Sequence, residues 1–210
     1  KNFKINKNSF VVGAGSNDGT FLSEIKKISK AQVLGVDPSN NIAKIAKKRK
    51  IKTLISYFDY QASKKIKKLY GSADIFYGAN VFNHVDNNID FLNGVDFLLK
   101  ENGLLILEVP DLKSLVSKTG FDTIYHEHRH YYSEKSIAII LKKKNFKIIK
   151  IQKINYMAGS LRIFAKKNNY KFKNITKFST VNLRQFRNFK KKIKLVIKEI
   201  KFFVNKNVKN

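Results

Sequence analysis

A chain of 210 residues, 43% of them hydrophobic, is too apolar to be disordered and long enough for one large domain, or one domain plus an appendage. The absence of cysteine excludes disulfides and thiolate zinc sites. No apolar run approaches the roughly 20 residues of a membrane span. The formal net charge of +28 invites a nucleic-acid reading. Two features weigh against it. Arginine, whose planar fork suits phosphates and bases, occurs only at 49, 129, 162, 184 and 187. The lysines are spread along the chain rather than set among stacking aromatics, and with abundant Asn and Ile they fit an A/T-rich coding bias. No nucleic-acid partner is expected. The start, Lys1-Asn2-Phe3-Lys4, lacks the pattern of a signal peptide, so a cytoplasmic protein is the expectation. With three of the four histidines packed into His126 to His130, no metal centre is expected.

Ser9 to Val12 is a short apolar run ending in a glycine turn, which predicts a buried strand. Phe21, Leu22, Ile25 and Ile28 follow at helical spacing. Val33 to Val36 is a second strand, closed by Asp37-Pro38, and Ile42 to Ala46 suits a helix. Ile51 to Ile55 predicts a third strand, Tyr60 to Leu69 a lysine-rich helix and Ala73 to Tyr77 a fourth strand. Ile89 to Leu99 reads as a helix stopped by Asn102-Gly103, before a fifth strand from Leu104 to Val109. This alternation predicts an α/β, Rossmann-like, doubly wound and mostly parallel sheet.

The pattern then changes. Asp111 to Tyr132 has no sustained period and carries a cluster of polar aromatics. Ser133 can cap a helix containing Ile137, Ile140 and Leu141. Phe146 to Ile154 and Leu161 to Ala165 predict an antiparallel terminal hairpin. The expected domain is 1–167, with a polar linker from 168. From Leu183 a C-terminal amphipathic helix carries Phe186, Phe189, Ile193, Val196, Ile200 and Phe203 on one stripe and lysines on the other. Its apolar stripe suits packing on its own domain or on a neighbour; a basic membrane-surface helix is the alternative.

The turn Gly13-Ala14-Gly15-Ser16-Asn17-Asp18-Gly19 joins the first strand to the first helix, where unpaired N–H groups converge. The dinucleotide fingerprint needs its third glycine one residue earlier. Asn17-Asp18 occupies the intervening positions, and an acidic side chain there suits a cationic sulfonium or ammonium group better than a pyrophosphate. Asp37, 22 residues after Gly15, stands where a carboxylate accepts ribose hydroxyls.

With these residues in view, the chain resembles the sugar C-methyltransferases that act on nucleotide-linked keto-deoxysugars. Val12 to Leu22 is similar to that family's cofactor loop, and Gly35-Val36-Asp37-Pro38-Ser39 to its ribose-binding strand end. Asn80-Val81-Phe82-Asn83-His84-Val85 resembles the segment after its fourth strand, and Leu107-Glu108-Val109-Pro110 its fifth. Tyr125-His126-Glu127-His128, then Tyr131-Tyr132-Ser133, is the most specific match; Gly159-Ser160-Leu161-Arg162 fits a further motif. The resemblance spans roughly residues 9 to 165. It implies S-adenosyl-L-methionine as cofactor, held by Gly15, Asn17, Asp18, Gly19, Asp37, Pro38, Phe58, Asn80, Val81 and His84. It implies a small-molecule acceptor, a nucleotide-linked sugar, met by His126, Ser160 and Arg162.

The same resemblance implies a base that removes a proton beside a keto group, after which the enolate attacks the sulfonium methyl. His128 is the implied base, with Tyr125 and Glu127 orienting it or the substrate. A histidine with a pKa of about 6.5 needs donors that stabilise the enolate. Tyr125 and His128, three apart, share a face in a helical or 3₁₀ turn. Gly13 replaces an acidic residue usual in the family, and Met157-Ala158 replaces an expected His-Gly. The family's zinc module and second nucleotide-fold domain have no counterpart here, so a fragment or trimmed version of a longer protein is expected. The alternatives are a methyltransferase of the same fold acting on oxygen or nitrogen of another small metabolite, or a non-catalytic basic binding module.

Overall fold

A computed structural model of the chain describes residues 4–156, 158–167 and 178–208; Met157 and most of the expected linker lie outside the described residues. The Val-, Ile- and Leu-rich runs form strands because both of their faces are covered. β1 (Phe10–Ala14) is buried along its whole length, and β2 (Gln32–Asp37) nearly so. With β3 (Thr53–Ile55), β4 (Ala73–Ala79), β5 (Leu99–Pro110), β6 (Phe146–Ile154) and β7 (Ser160–Lys167) they make a seven-stranded sheet in the order β3-β2-β1-β4-β5-β7-β6. The first five strands pair in parallel; β7 runs antiparallel between β5 and β6. The expected doubly wound sheet with its antiparallel hairpin is what the chain adopts.

Alternation along the strands splits the core in two. Val12, Ala14, Phe76, Leu105, Leu107, Leu161 and Ile163 face α3 (Tyr60–Tyr70), α4 (Asn88–Leu98) and α6 (Glu134–Lys143). Val11, Ile75, Leu104, Ile106 and Phe164 face α1 (Thr20–Ser29) and α2 (Asn40–Lys48). Ser133 caps α6 as expected, its hydroxyl accepting from the Ser136 amide at 3.2 Å.

Three boundaries differ from the sequence reading. Ile51 is a core plug before β3 rather than its first residue, at 2% exposure. β5 begins at Leu99, directly after α4, because Leu99 pairs with Ala73; the polar Lys100-Glu101-Asn102 concealed this. The aperiodic stretch after β5 contains α5 (Leu112–Lys118), capped by Asp111, whose carboxylate accepts from the Lys113 amide. Finally, α7 (Leu183–Asn207) is the expected C-terminal helix. Its Phe189 and Ile193 pack on Leu115 and Val116 of α5, whereas Ile197, Ile200 and Phe203 further along are exposed.

Candidate active site

The carboxyl ends of β1, β2 and β4 meet at a cleft of about 490 Å³, lined by Gly15, Asn17, Asp37, Pro38, Phe58, Asn80, Val81 and His84 among others. Its floor is made by backbone geometry. Gly15 and Gly19 hold φ of 58° and 76°, which bends the chain from strand into helix without a Cβ penalty. A Cβ on Gly15 would stand 3.2 Å from Val81, so the loops after β1 and β4 close on each other there. Asn80 also adopts a positive φ, 50°, a conformation asparagine tolerates better than most residues.

Asp37 ties this end together. It is 9% exposed, and its two oxygens accept from the amides of Asn17 and Ser39, each at 3.0 Å. A carboxylate has about four acceptor positions, so two remain for ligand hydroxyls. Asp18 is placed differently. It accepts from Thr20 and pairs with Arg49 at 3.0 Å on the surface, and these contacts hold its carboxyl below the usual range. Neither Asp18 nor Gly19 lines the cleft; Gly19 serves as the cap residue of α1.

The second part of the site is the turn after α5. The His128 amide donates to the Tyr125 carbonyl at 3.0 Å, so the two side chains meet as their spacing predicts. His128 Nδ1 lies 2.7 Å from the Thr123 carbonyl, which can only accept, so Nδ1 carries the proton. In the neutral ring Nε2 then holds the lone pair, and the Tyr125 hydroxyl donates to it at 2.9 Å. Glu127 contributes its carbonyl rather than its side chain to this arrangement: it accepts from His84 Nδ1 at 2.8 Å. Its carboxylate faces outward beside His126, 3.9 Å away, with both side chains largely exposed.

His84 joins the two parts. It lines the cleft, and its ring stands edge-on to that of His128 with centroids 4.8 Å apart. Burial, with a smaller contribution from the neighbouring His128, pushes its pKa below the ordinary 6.5. The turn itself is pinned from beneath. Arg129 and His130 amides donate to the Asn83 carbonyl, and Tyr132 stacks on Phe82 at 5.2 Å. Ser160, 2% exposed, lies at the start of β7, and Arg162 pairs with Glu108 of β5.

Residues 2–151 match the model of the methyltransferase-domain family. The chain belongs to that family. Its cofactor is S-adenosylmethionine. The C-methyltransferase NovU of Streptomyces niveus is 34% identical over 155 residues, which cover 74% of this chain but 37% of that protein. Among solved structures, the fold resembles a complex of the Haloferax volcanii Trm112 activator with a putative methyltransferase (TM-score 0.64, 13% identity, 79% of this chain and 85% of that one). A methyltransferase from Archaeoglobus fulgidus gives a TM-score of 0.62 at 19% identity, over 76% and 86% of the two chains. The magnesium protoporphyrin IX methyltransferase of Synechocystis PCC 6803, solved with bound S-adenosylmethionine, gives 0.57 at 16%, over 78% and 72%.

The cleft fits a sulfonium nucleoside: Asp37 keeps acceptor capacity for ribose hydroxyls, and Pro38, Tyr57, Phe58 and Phe91 offer apolar walls for a base. Of the cofactor residues expected from the sequence, Gly15, Asn17, Asp37, Pro38, Phe58, Asn80, Val81 and His84 come together here. Ser56, Tyr57 and Phe91 were not foreseen; the first two immediately follow β3, a position that signals a ligand in such sheets. The contact of His84 with the turn that carries His128 was also missed, since no pattern links residues 43 apart.

Proposed function

We propose that the chain methylates a carbon next to a keto group in an activated, nucleotide-linked deoxysugar, with His128 as base. The observation that carries this reading is the pair of hydrogen bonds on the His128 ring. The Thr123 carbonyl fixes the proton on Nδ1, which leaves Nε2 as a lone pair beside a hydroxyl donor, Tyr125. A base and an oxyanion donor thus occupy one turn, which is what abstraction of a proton beside a carbonyl needs.

In this reading the acceptor displaces the Tyr125 hydroxyl from Nε2. The substrate C–H proton passes to Nε2, and the electron pair of that bond shifts into the carbonyl to give an enolate. Tyr125, freed from His128, donates to the enolate oxygen. The enolate carbon then forms its bond to the methyl group that a bound S-adenosylmethionine would supply, the electron pair of the broken methyl–sulfur bond staying on sulfur. His84, neutral near pH 7 and aligned by the Glu127 carbonyl, closes the space between cleft and turn and keeps water from the enolate. Glu127 and His126, exposed on the outer side of the turn, orient sugar hydroxyls. The 34% identity to a C-methyltransferase supports carbon rather than oxygen or nitrogen as the acceptor atom.

Hydrogen exchange tests the reading. A keto-deoxysugar nucleotide incubated in deuterated water with enzyme and S-adenosylhomocysteine should exchange its α-hydrogen, and the His128→Asn variant should not catalyse this. Methyl transfer to a hydroxyl or amine without α-exchange would sink carbon methylation.

A further inference from the structure

The amino-acid end of S-adenosylmethionine carries an ammonium and a carboxylate, and the cleft supplies little for either. Asp37 is the one charged side chain among the described residues that line it, and it stands at the end of β2, where the ribose is expected. Asp18 is committed to Thr20 and Arg49. Gly13 has no side chain; a Cβ there would meet only Leu22, at 3.4 Å.

Strand register points to an alternative two strands away. Gly13 pairs with Tyr77, Tyr77 with Ile106, Ala79 with Glu108, and Glu108 with Arg162. Leu107, Val109, Leu161 and Ile163 face the α4 side, so Glu108 and Arg162 face the α1 side, as do Gly13 and Tyr77. Tyr77 is fixed there by Phe21 of α1, with ring centroids 4.3 Å apart. Ala79, directly beside Glu108, lines the cleft.

The pairing within this group is incomplete in a way that suits a zwitterion. Arg162 Nε donates to Glu108 Oε2 at 2.8 Å, and Nη2 stands 2.8 Å from that same oxygen. Oε1 has no hydrogen-bond partner among the described residues, although Glu108 is 7% exposed. A nearly buried carboxylate with one oxygen unused has capacity for a further cation. The guanidinium side chain is 39% exposed and retains Nη1 for an anion. The Tyr77 hydroxyl is kept protonated by burial and by the Glu108 charge, which both raise its pKa, so it remains a donor.

We propose that Glu108 and Arg162 form the subsite for the amino-acid end of the cofactor, Glu108 Oε1 accepting from the ammonium and Arg162 donating to the carboxylate. The pair offers partners of both signs, which the side chains lining the cleft do not. It distinguishes S-adenosylmethionine and its product from nucleosides that lack the amino acid. It rests on the cofactor alone and is independent of the acceptor.

Calorimetric titration with three ligands tests this: S-adenosylhomocysteine, an analogue of it lacking the amino group, and 5′-methylthioadenosine, which lacks the amino acid. The wild-type chain should prefer S-adenosylhomocysteine over 5′-methylthioadenosine by tenfold or more. Glu108→Gln, which keeps shape and an acceptor for Arg162, should weaken S-adenosylhomocysteine binding by roughly tenfold to a hundredfold. It should leave 5′-methylthioadenosine unchanged and barely affect the analogue without the amino group. Arg162→Gln, at a half-exposed position, should weaken both ligands that carry a carboxylate and spare 5′-methylthioadenosine. This second arm decides the matter if Glu108→Gln does not fold. Equal losses for all three ligands, or an unchanged preference in both variants, would overturn the subsite. Because no acceptor is present, a failure of the α-hydrogen exchange experiment would leave this result untouched.

Discussion

The cleft at the ends of β1, β2 and β4 and the turn that carries His128 are built by opposite means. Around β1 and β2 the chain is buried, and the loops that frame the cleft are shaped by positive φ at Gly15, Asn17 and Asn80 and clamped by the buried Asp37. From Thr123 to His130 the side chains are half-exposed or exposed, and position is set by hydrogen bonds to carbonyls of Thr123, Asn83 and Glu127. The first region is specified by the fold and tolerates little change in shape. The second is specified by chemistry at a few atoms and should tolerate changes that preserve those atoms. Substitutions in the two regions should therefore separate cleanly into cofactor affinity and reaction rate.

The sharpest separation is expected at His128. Asparagine can still donate to the Thr123 carbonyl from its amide but offers no basic lone pair in place of Nε2. His128→Asn should lower methyl transfer by about 10²- to 10⁴-fold, the usual range for a lost general base. Cofactor affinity measured by calorimetry should stay within about twofold, because the residue does not line the cleft. A comparable loss of affinity would mean that the two regions are not separable.

Asp37→Asn is the mirror experiment. The asparagine oxygen can satisfy one of the two amides now held at 3.0 Å, but the charge that favours both is gone. Cofactor affinity should fall roughly tenfold to a hundredfold, equivalent to losing one charge-assisted hydrogen bond. The rate at saturating cofactor should be largely kept. A rate defect without an affinity defect would break the comparison from the other side.

These two regions were also unequally legible in the sequence. The strands up to β4 and the glycine turn announced themselves, because fully buried parallel strands must be continuous apolar runs ended by turn residues. Asp37 followed from its spacing. In contrast, α5 is seven residues long and lay hidden in a stretch with no sustained period, although Asp111 is an ordinary capping residue. Within the turn that carries His128, the i to i+3 spacing of Tyr125 and His128 foretold their contact. What lies between distant residues did not show. His84 against the Glu127 carbonyl, Arg129 and His130 on the Asn83 carbonyl, and Arg49 drawing Asp18 away from the cleft are tertiary contacts without a local signature. A charge beside a glycine turn suggested a ligand, yet Arg49 on a lysine-rich surface offered it another partner.

A smaller effect is expected at Gly35, which tests how rigid the cofactor end is. A Cβ there would stand 2.4 Å from the Ser16 hydroxyl and 3.1 Å from that of Thr53. Ser16 lies in the turn itself, and rotating its hydroxyl away does not relieve the contact, because its Cβ would still stand 2.9 Å from the new methyl. Gly35→Ala should therefore cost about 1 to 3 kcal/mol of stability, the usual range for overpacking, read as a lower denaturation midpoint. A modest loss of cofactor affinity should accompany it as the turn shifts. Full stability in this variant would indicate a loop far more compliant than its buried neighbours suggest.

The smallest effect expected concerns pH and the residue that bridges the two regions. Burial is the main cause that holds the His84 pKa below its ordinary 6.5. The folded chain therefore binds fewer protons at this site than the unfolded chain in the interval between the depressed value and 6.5. Stability from the neutral ring is present in full above pH 6.5 and declines as pH falls through that interval, levelling off below the folded pKa. In His84→Asn the side-chain amide can still donate to the Glu127 carbonyl, but nothing titrates. Denaturant unfolding at pH 7.5 and at pH 5 should show a smaller difference for the variant than for the wild-type chain. Since the ring is only partly buried, the gap should be small, and an equal pH dependence in both proteins would show that His84 senses solvent rather than the turn. The same variant sharpens the comparison kinetically. If His84 serves mainly to close the space between cleft and turn, its replacement should raise solvent-exchanged, unmethylated substrate relative to methylated product, with little change in cofactor affinity.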